Sequence, residues 1–497
     1  MGFTENILKS LTKEELRFVE KNAFEGKDSQ ARKLFDLSVK FGEEEEKIAA
    51  RFKKAAPNGN IAIVRNQLSQ ILLDSAYQIH ATGNQWAEVN KLIVQIDFFI
   101  KKSSFEVVKK MLKKALHLAA ENEFFTQQID LLEIMIQLFQ SRVLVDKEER
   151  ENTIQLLQTI WAKKQNHIGY QLLLSEQMEL LSQNFTLRTP EGLAKFEQIM
   201  NDPLMHSEEH ALCVKSKLDF WIIKGQFFSI SNKYDLAADA FEHIITLLDV
   251  TPAIKKQRTL AYLSLCAQLA TYGYILQKSE LMQKAINAIH NAEKHNEIER
   301  IAAATFIINS NMAYYDFIKD KTGLKQTISE AHELLKQHIE KIKPDVQATL
   351  LIACVSGYAE FGEYEKLLEM MREFSEFIFS NIRVDMKATL FFYELIAQIE
   401  TGNEQMVNDT IQNFNRYLLR HDFKGEFEQI MIQFLKIISS NTNTLKEELT
   451  KLKDQLTALP QKSILNQNRV LFQILTNMVD SKIAGKKFHE YLEEGKG

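Results

Sequence analysis

Chain breakers are scarce in this sequence. Its 497 residues hold 6 prolines and 17 glycines, well under the roughly 5% and 7% of average usage. Runs of Val, Ile and Thr that would mark strands are missing too. A fold of many short strands joined by tight turns is therefore excluded. Cysteine is rare: Cys213, Cys266 and Cys354 lie far apart in apolar helical runs. A disulfide framework is excluded, and buried free thiols in a reducing compartment are expected. Long hydrophobic runs are absent. Stretches such as ATLLIACVSGYAEF stop short of the roughly 18 residues a spanning helix needs, so no membrane partner is expected. The start, MGFTENILKSLTKEEL, lacks a basic region, an apolar core and a small-residue cleavage site, so no secretory signal is visible. Asn6 stands where a myristoylation site carries Ser or Thr. A cytoplasmic location is expected. Neither sign of charge dominates: the net charge is -5, which gives no reason to expect nucleic acid as the partner. No phosphate-cradling G-x-x-x-x-G-K-[ST] or G-x-G-x-x-G and no G-x-S-x-G elbow occurs, so no cofactor and no catalytic residue is expected.

What is present is helical periodicity. Hydrophobic residues make up 45% of the chain, and they recur at helical spacing from end to end. Thr12 and Glu15 have the spacing of a capping box, which predicts a helix from there to about Asn22. Helices are expected in SQARKLFDLSVKF and EEEEKIAARFKK, before a break at Pro57-Asn58-Gly59-Asn60. From Ile61 to Arg142 helices alternate with breaks at Thr82-Gly83-Asn84, Ser103-Ser104 and Glu121-Asn122-Glu123. Residues 146–184 hold no proline and one glycine, Gly169, which predicts one very long helix or two abutting ones. Pro190 and Pro203 mark an irregular junction. The expected organisation is a helical N-terminal region (1–56), helical hairpins that include the long segment (61–200), and a repeat region with C-terminal capping helices (204–497).

The repeat shows in one pattern. Trp221-x3-Gly225-x2-Phe228-x8-Ala237-x3-Phe241 is followed by Leu269-x3-Gly273-x2-Leu276-x8-Ala285-x3-Ile289, at an offset of 273 − 225 = 48. A third match is Leu351-x6-Tyr358-x8-Leu367-x3-Met371, and a looser fourth centres on Val407 and Ile411. Such spacing suits a helical hairpin. The glycine lets two helices approach, the alanine accepts the contact, and the last bulky residue anchors on the next unit.

These residues resemble the tetratricopeptide repeat, with Trp221, Gly225, Phe228, Ala237 and Phe241 at its Trp, Gly, Tyr, Ala and Phe positions. The departures are Lys224 and Tyr272 before the glycines, no closing proline, and units longer than about 34 residues. The pieces LTKEELRF, KLFDLSVKF and DSKIAGKKF also resemble a group of bacterial proteins of this size and layout. That second resemblance implies architecture and no catalytic activity. Together they imply an all-α fold, a right-handed α-solenoid of tetratricopeptide-like hairpins with a helical N-terminal region.

One motif points to chemistry. His206-Ser207-Glu208-Glu209-His210 reads H-x-x-E-H, the inverted zinc-protease arrangement, with Cys213 a turn beyond. It is short, and those proteases need strands that this sequence does not offer. The expectation is therefore a capped helix start after Pro203 and no metal. A zinc-dependent hydrolase at His206 and His210 ranks last.

The remaining signal is polar residues on apolar helices. Gln226, Tyr274, Asn309 and Asn311 sit on first helices of hairpins, which in a solenoid line the concave side. Amides and hydroxyls there can satisfy the backbone of an extended peptide. The expected function is a scaffold or adaptor that binds a protein or peptide partner in the groove. The alternative is a peptide-responsive regulator with residues 1–56 as its output module.

Overall fold

The computed structural model describes every residue except 1–2, 27, 43, 183–189, 376, 378–383, 403, 421–425, 440–444, 460–465 and 496–497. Among the described residues there is no strand; the fold is all-α. None of their helices is long and apolar enough to cross a membrane. The chain forms two compact units, residues 1–164 and 165–497.

The first unit holds α1 (Phe3–Ser10), α2 (Lys13–Phe24), α3 (Gln30–Phe41), α4 (Glu45–Ala55), α5 (Ile61–Ala81), α6 (Gln85–Lys101), α7 (Phe105–Glu121) and α8 (Phe125–Gln140). It ends within α9 (Lys147–Ser182). The expected capping box opens α2: Glu15 N–H donates to Thr12 Oγ1 (3.2 Å), and Thr12 N–H donates to Glu15 Oε2 (2.7 Å). Each of α1 to α4 packs on α5. Val19, Phe24, Leu34, Ile48 and Phe52 share one core with Val64, Leu68 and Leu72 of α5. Residues 1–56 thus have no core separate from α5. The sequence left residues 146–184 as one helix or two; α9 is one helix of 36 residues, and 183–184 lie outside the described residues.

The second unit starts in α9 and continues through α10 (Pro190–Met200), α11 (Val214–Ile230), α12 (Tyr234–Asp249), α13 (Pro252–Gln257), α14 (Thr259–Ile275) and α15 (Ser279–Asn291). Then come α16 (Glu297–Phe317), α17 (Lys321–His338), α18 (Pro344–Glu360), α19 (Tyr364–Glu373), α20 (Val384–Glu400) and α21 (Glu404–Arg420). It closes with α22 (Glu426–Ser439), α23 (Leu445–Ala458), α24 (Asn466–Ile483) and α25 (Phe488–Gly495). Five hairpins pack in series: α11/α12, α14/α15, α16/α17, α18/α19 and α20/α21. Helices α14, α16, α18 and α20 also touch in turn, so these four first helices form one layer. The last helix returns to α18, where Lys321 pairs with Glu493 at 2.8 Å and the His489 ring meets Tyr364.

A single turn type joins the hairpins and explains how so few glycines suffice. The first helix ends in a residue of positive φ: Asn232, Gln277, Lys319, Gly362 and Gly402. The N–H after that residue reaches back five positions: Lys233 to Phe228 O (2.8 Å), Lys278 to Gly273 O (2.7 Å), Asp320 to Tyr315 O (2.9 Å) and Glu363 to Tyr358 O (2.8 Å). These are the bonds of a Schellman ending, which pairs carbonyls that a helix end otherwise orphans. Ser103, Glu123 and Arg142 take the same conformation in the first unit. Side-chain-bearing residues thus fill a position that glycine favours, and the paired carbonyls offset the strain.

The turns correct the repeat register. Successive turn residues lie 45, 42, 43 and 40 positions apart, from 232 through 277, 319 and 362 to 402. The first step is 45, and the glycine alignment gave 48. Gly225 lies seven residues before its turn residue and Gly273 four before its own. The structural counterpart of Gly225 is Ala270, and that of Ala237 is Met282. A slip of three residues is nearly one helical turn, so it keeps apolar positions on apolar positions and is hard to detect in sequence. The third and fourth matches need no shift: Leu367 and Val407 each lie five residues after their turn residues, as Ala237 does.

Both glycines are close contacts, of different kinds. A Cβ on Gly225 would meet the Phe241 ring at 3.2 Å and Ala240 Cβ at 3.4 Å. Those neighbours can shift by tenths of an ångström, and alanine favours a helix by about 0.8–1.0 kcal/mol over glycine. Gly225→Ala is expected to change stability by less than about 1 kcal/mol in a denaturant titration.

Candidate functional site

The turn residues provide a common origin for the first helices. At about 100° per residue, position around the helix follows from the distance to the turn. Gln226 lies six residues before Asn232, Tyr274 three before Gln277, and Asn309 ten before Lys319. These three fall within about 60° of one another around their helices. Asn311 is two residues from Asn309 on α16, about 200° away. It cannot share their face, and the four-residue set is corrected to three.

A direct contact supports this register. Tyr274 O–H donates to Asp316 Oδ2 at 2.5 Å, and both residues lie three positions before their turn residues on neighbouring first helices. Burial first, then this bond, push the Tyr274 hydroxyl above its ordinary range. Tyr274 is therefore engaged within the fold. Its carboxylate partner Asp316 was not singled out in the sequence, and it puts a negative charge on the same face.

The two amides differ from Tyr274. The Gln226 side-chain oxygen is buried and accepts no hydrogen bond among the described residues. Asn309 is half-buried, and its side chain makes no hydrogen bond among them either. A buried amide oxygen without a partner costs about 1–3 kcal/mol. Two unmatched amides on one face can donate to and accept from an incoming backbone.

The H-x-x-E-H segment is built otherwise than expected. Instead of a helix start, residues 203–205 and 208–210 form two short 3₁₀ turns. The helix begins only at Val214, capped by Cys213, whose sulfur accepts from Ser216 N–H at 3.3 Å. The two imidazoles therefore do not stack at i, i+4 on a helix. A His206 ring nitrogen lies 3.3 Å from Asn201 O, and a His210 ring nitrogen 2.8 Å from Pro203 O. Among the described residues, no three His, Cys, Asp or Glu side chains converge as a metal site. The three cysteines are free and buried. Burial pushes the Cys266 thiol up to about 12, which leaves it unreactive near neutrality.

A buried charge cluster escaped sequence reading. Asp219 of α11 is almost fully enclosed, and its Oδ1 lies 3.2 Å from a guanidinium nitrogen of Arg258, just before α14. Its Oδ2 is 3.3 Å from Nε2 of His167 on α9. Three elements thus meet at one carboxylate, an arrangement that ties their packing together. The three residues are scattered at positions 167, 219 and 258, and no local spacing connects them.

No protein-family profile, curated protein or solved structure matches the chain.

Proposed function

We propose that the chain is a tetratricopeptide-like α-solenoid of right-handed sense that works as a cytoplasmic scaffold or adaptor. It binds an extended segment of a protein or peptide partner along the first helices of its second unit. One observation carries the reading: Gln226 and Asn309 hold equivalent faces of the first helices α11 and α16, two hairpins apart, with their amide groups unmatched. An extended backbone presents both donors and acceptors and is the complement such a face requires. Serial hairpins with one layer of first helices are what a solenoid groove is made of. The free buried thiols suit a reducing compartment.

The test is a double variant, Gln226→Ala with Asn309→Ala. It removes unmatched groups, so the midpoint of a denaturant titration is expected not to fall. Quantitative co-precipitation from the native host is expected to recover a partner with wild type and about tenfold less with the double variant. Asn311→Ala is expected to leave recovery unchanged. If the double variant retains every partner that wild type captures, this face is not the binding surface.

A further inference from the structure

A second site lies in the hairpin of α20 and α21, away from the face carrying Gln226 and Asn309. A cavity of about 510 Å³ opens there, within the roughly 300–1,000 Å³ of small-molecule sites. From α20 it is lined by Lys387, Phe391 and Glu394, at i, i+4 and i+7, one stripe of the helix. From α21 it is lined by Asn413, Arg416, Tyr417 and Arg420, among others. The lining carries three cations against one carboxylate.

These charges are not satisfied by one another. Arg416 and Arg420 have no ion-pair partner among the described residues. Neither has an acidic residue three or four positions away on its helix. Lys387 Nζ sits 4.9 Å from the centroid of the Tyr417 ring, and burial holds its ammonium below the usual lysine range. The Phe391 and Tyr417 rings meet tilted at 58°, 5.6 Å between centroids, and form an apolar wall. Burial pushes the Glu394 carboxyl up. Gln398 donates to it at 3.4 Å.

We infer that this cavity binds a small organic anion, a carboxylate or phosphate joined to a ring or short apolar body. The two guanidinium groups take the anion, since paired N–H donors match carboxylate and phosphate oxygens. The Phe391–Tyr417 wall takes the apolar body, and Asn413 offers an amide to orient it. The assignment is independent of the groove reading, and either can fail alone.

Isothermal titration of the full chain with phenylacetate and with phenyl phosphate separates the two anion sources. At least one is expected to saturate a single site. Benzyl alcohol and inorganic phosphate, which each lack one half of the ligand, are expected to bind more weakly. In Arg416→Ala with Arg420→Ala the affinity is expected to fall at least about tenfold, or 1.4 kcal/mol. The circular-dichroism melt should stay unchanged, since both arginines are exposed. If that variant does not fold, Arg416→Lys with Arg420→Lys keeps the charge, removes the fork, and is expected to show a smaller loss of affinity. The assignment is overturned if neither anion saturates, if either half-ligand binds as well, or if the folded arginine variant binds as wild type does.

Discussion

Arg258→Ala is expected to destabilise the second unit by about 3–5 kcal/mol in a denaturant titration, the usual cost of removing one partner of a buried ion pair. Asp219 is nearly enclosed, so the charge left behind has little access to water. The penalty comes from the carboxylate left buried with only the His167 imidazole beside it, more than from the lost attraction. Asp219→Asn with Arg258→Ala is therefore expected to recover much of the loss, because the double variant buries no lone charge. The coupling between the two sites should be large, as expected of residues in direct contact. Equal and additive effects in the double variant would show that Arg258 acts through packing of its stem instead. The chain has two compact units, so the fit must allow more than one transition.

Gly273→Leu is expected to cost about 1–3 kcal/mol by overpacking, and more than the same change at Gly225. A Cβ at Gly273 would lie 2.7 Å from Met282 Cγ, 3.0 Å from Met282 N and 3.1 Å from Lys278 O. Two of these are backbone atoms at the start of α15, and Lys278 N–H bonds Gly273 O in the turn itself. The side chain can move aside, but the turn cannot without breaking its hydrogen bond. Gly273→Ala should therefore already destabilise, unlike Gly225→Ala. Equal melting temperatures for the two alanine variants would show that α15 can shift away from α14 freely.

Much of the architecture was legible because helices are local. Thr12 and Glu15 announced α2 through a contact three residues long. The breaks at Gly83, Ser103 and Glu123 announced the turns of the first unit. The candidate site was legible in part. Gln226, Tyr274 and Asn309 stand out in the sequence as polar residues on apolar helices. Asn311 was included although two residues of a helix at i, i+2 do not share a face. Tyr274 was assigned to a ligand although its partner, Asp316, lies on the next hairpin, 42 residues on.

Composition and periodicity by themselves determined that this protein is all-α, that its cysteines stay free, and that hairpins follow one another. Those properties depend on breaker content and on contacts within one or two helical turns, which the order of residues encodes directly. Tertiary structure alone decided the repeat register, the three-element charge cluster at Asp219, the return of α25 to α18, and the cavity between α20 and α21. Each of these depends on which helix faces meet. A shift of three residues leaves the hydrophobic stripe intact while changing every partner across it, so only the packed chain distinguishes one register from the next.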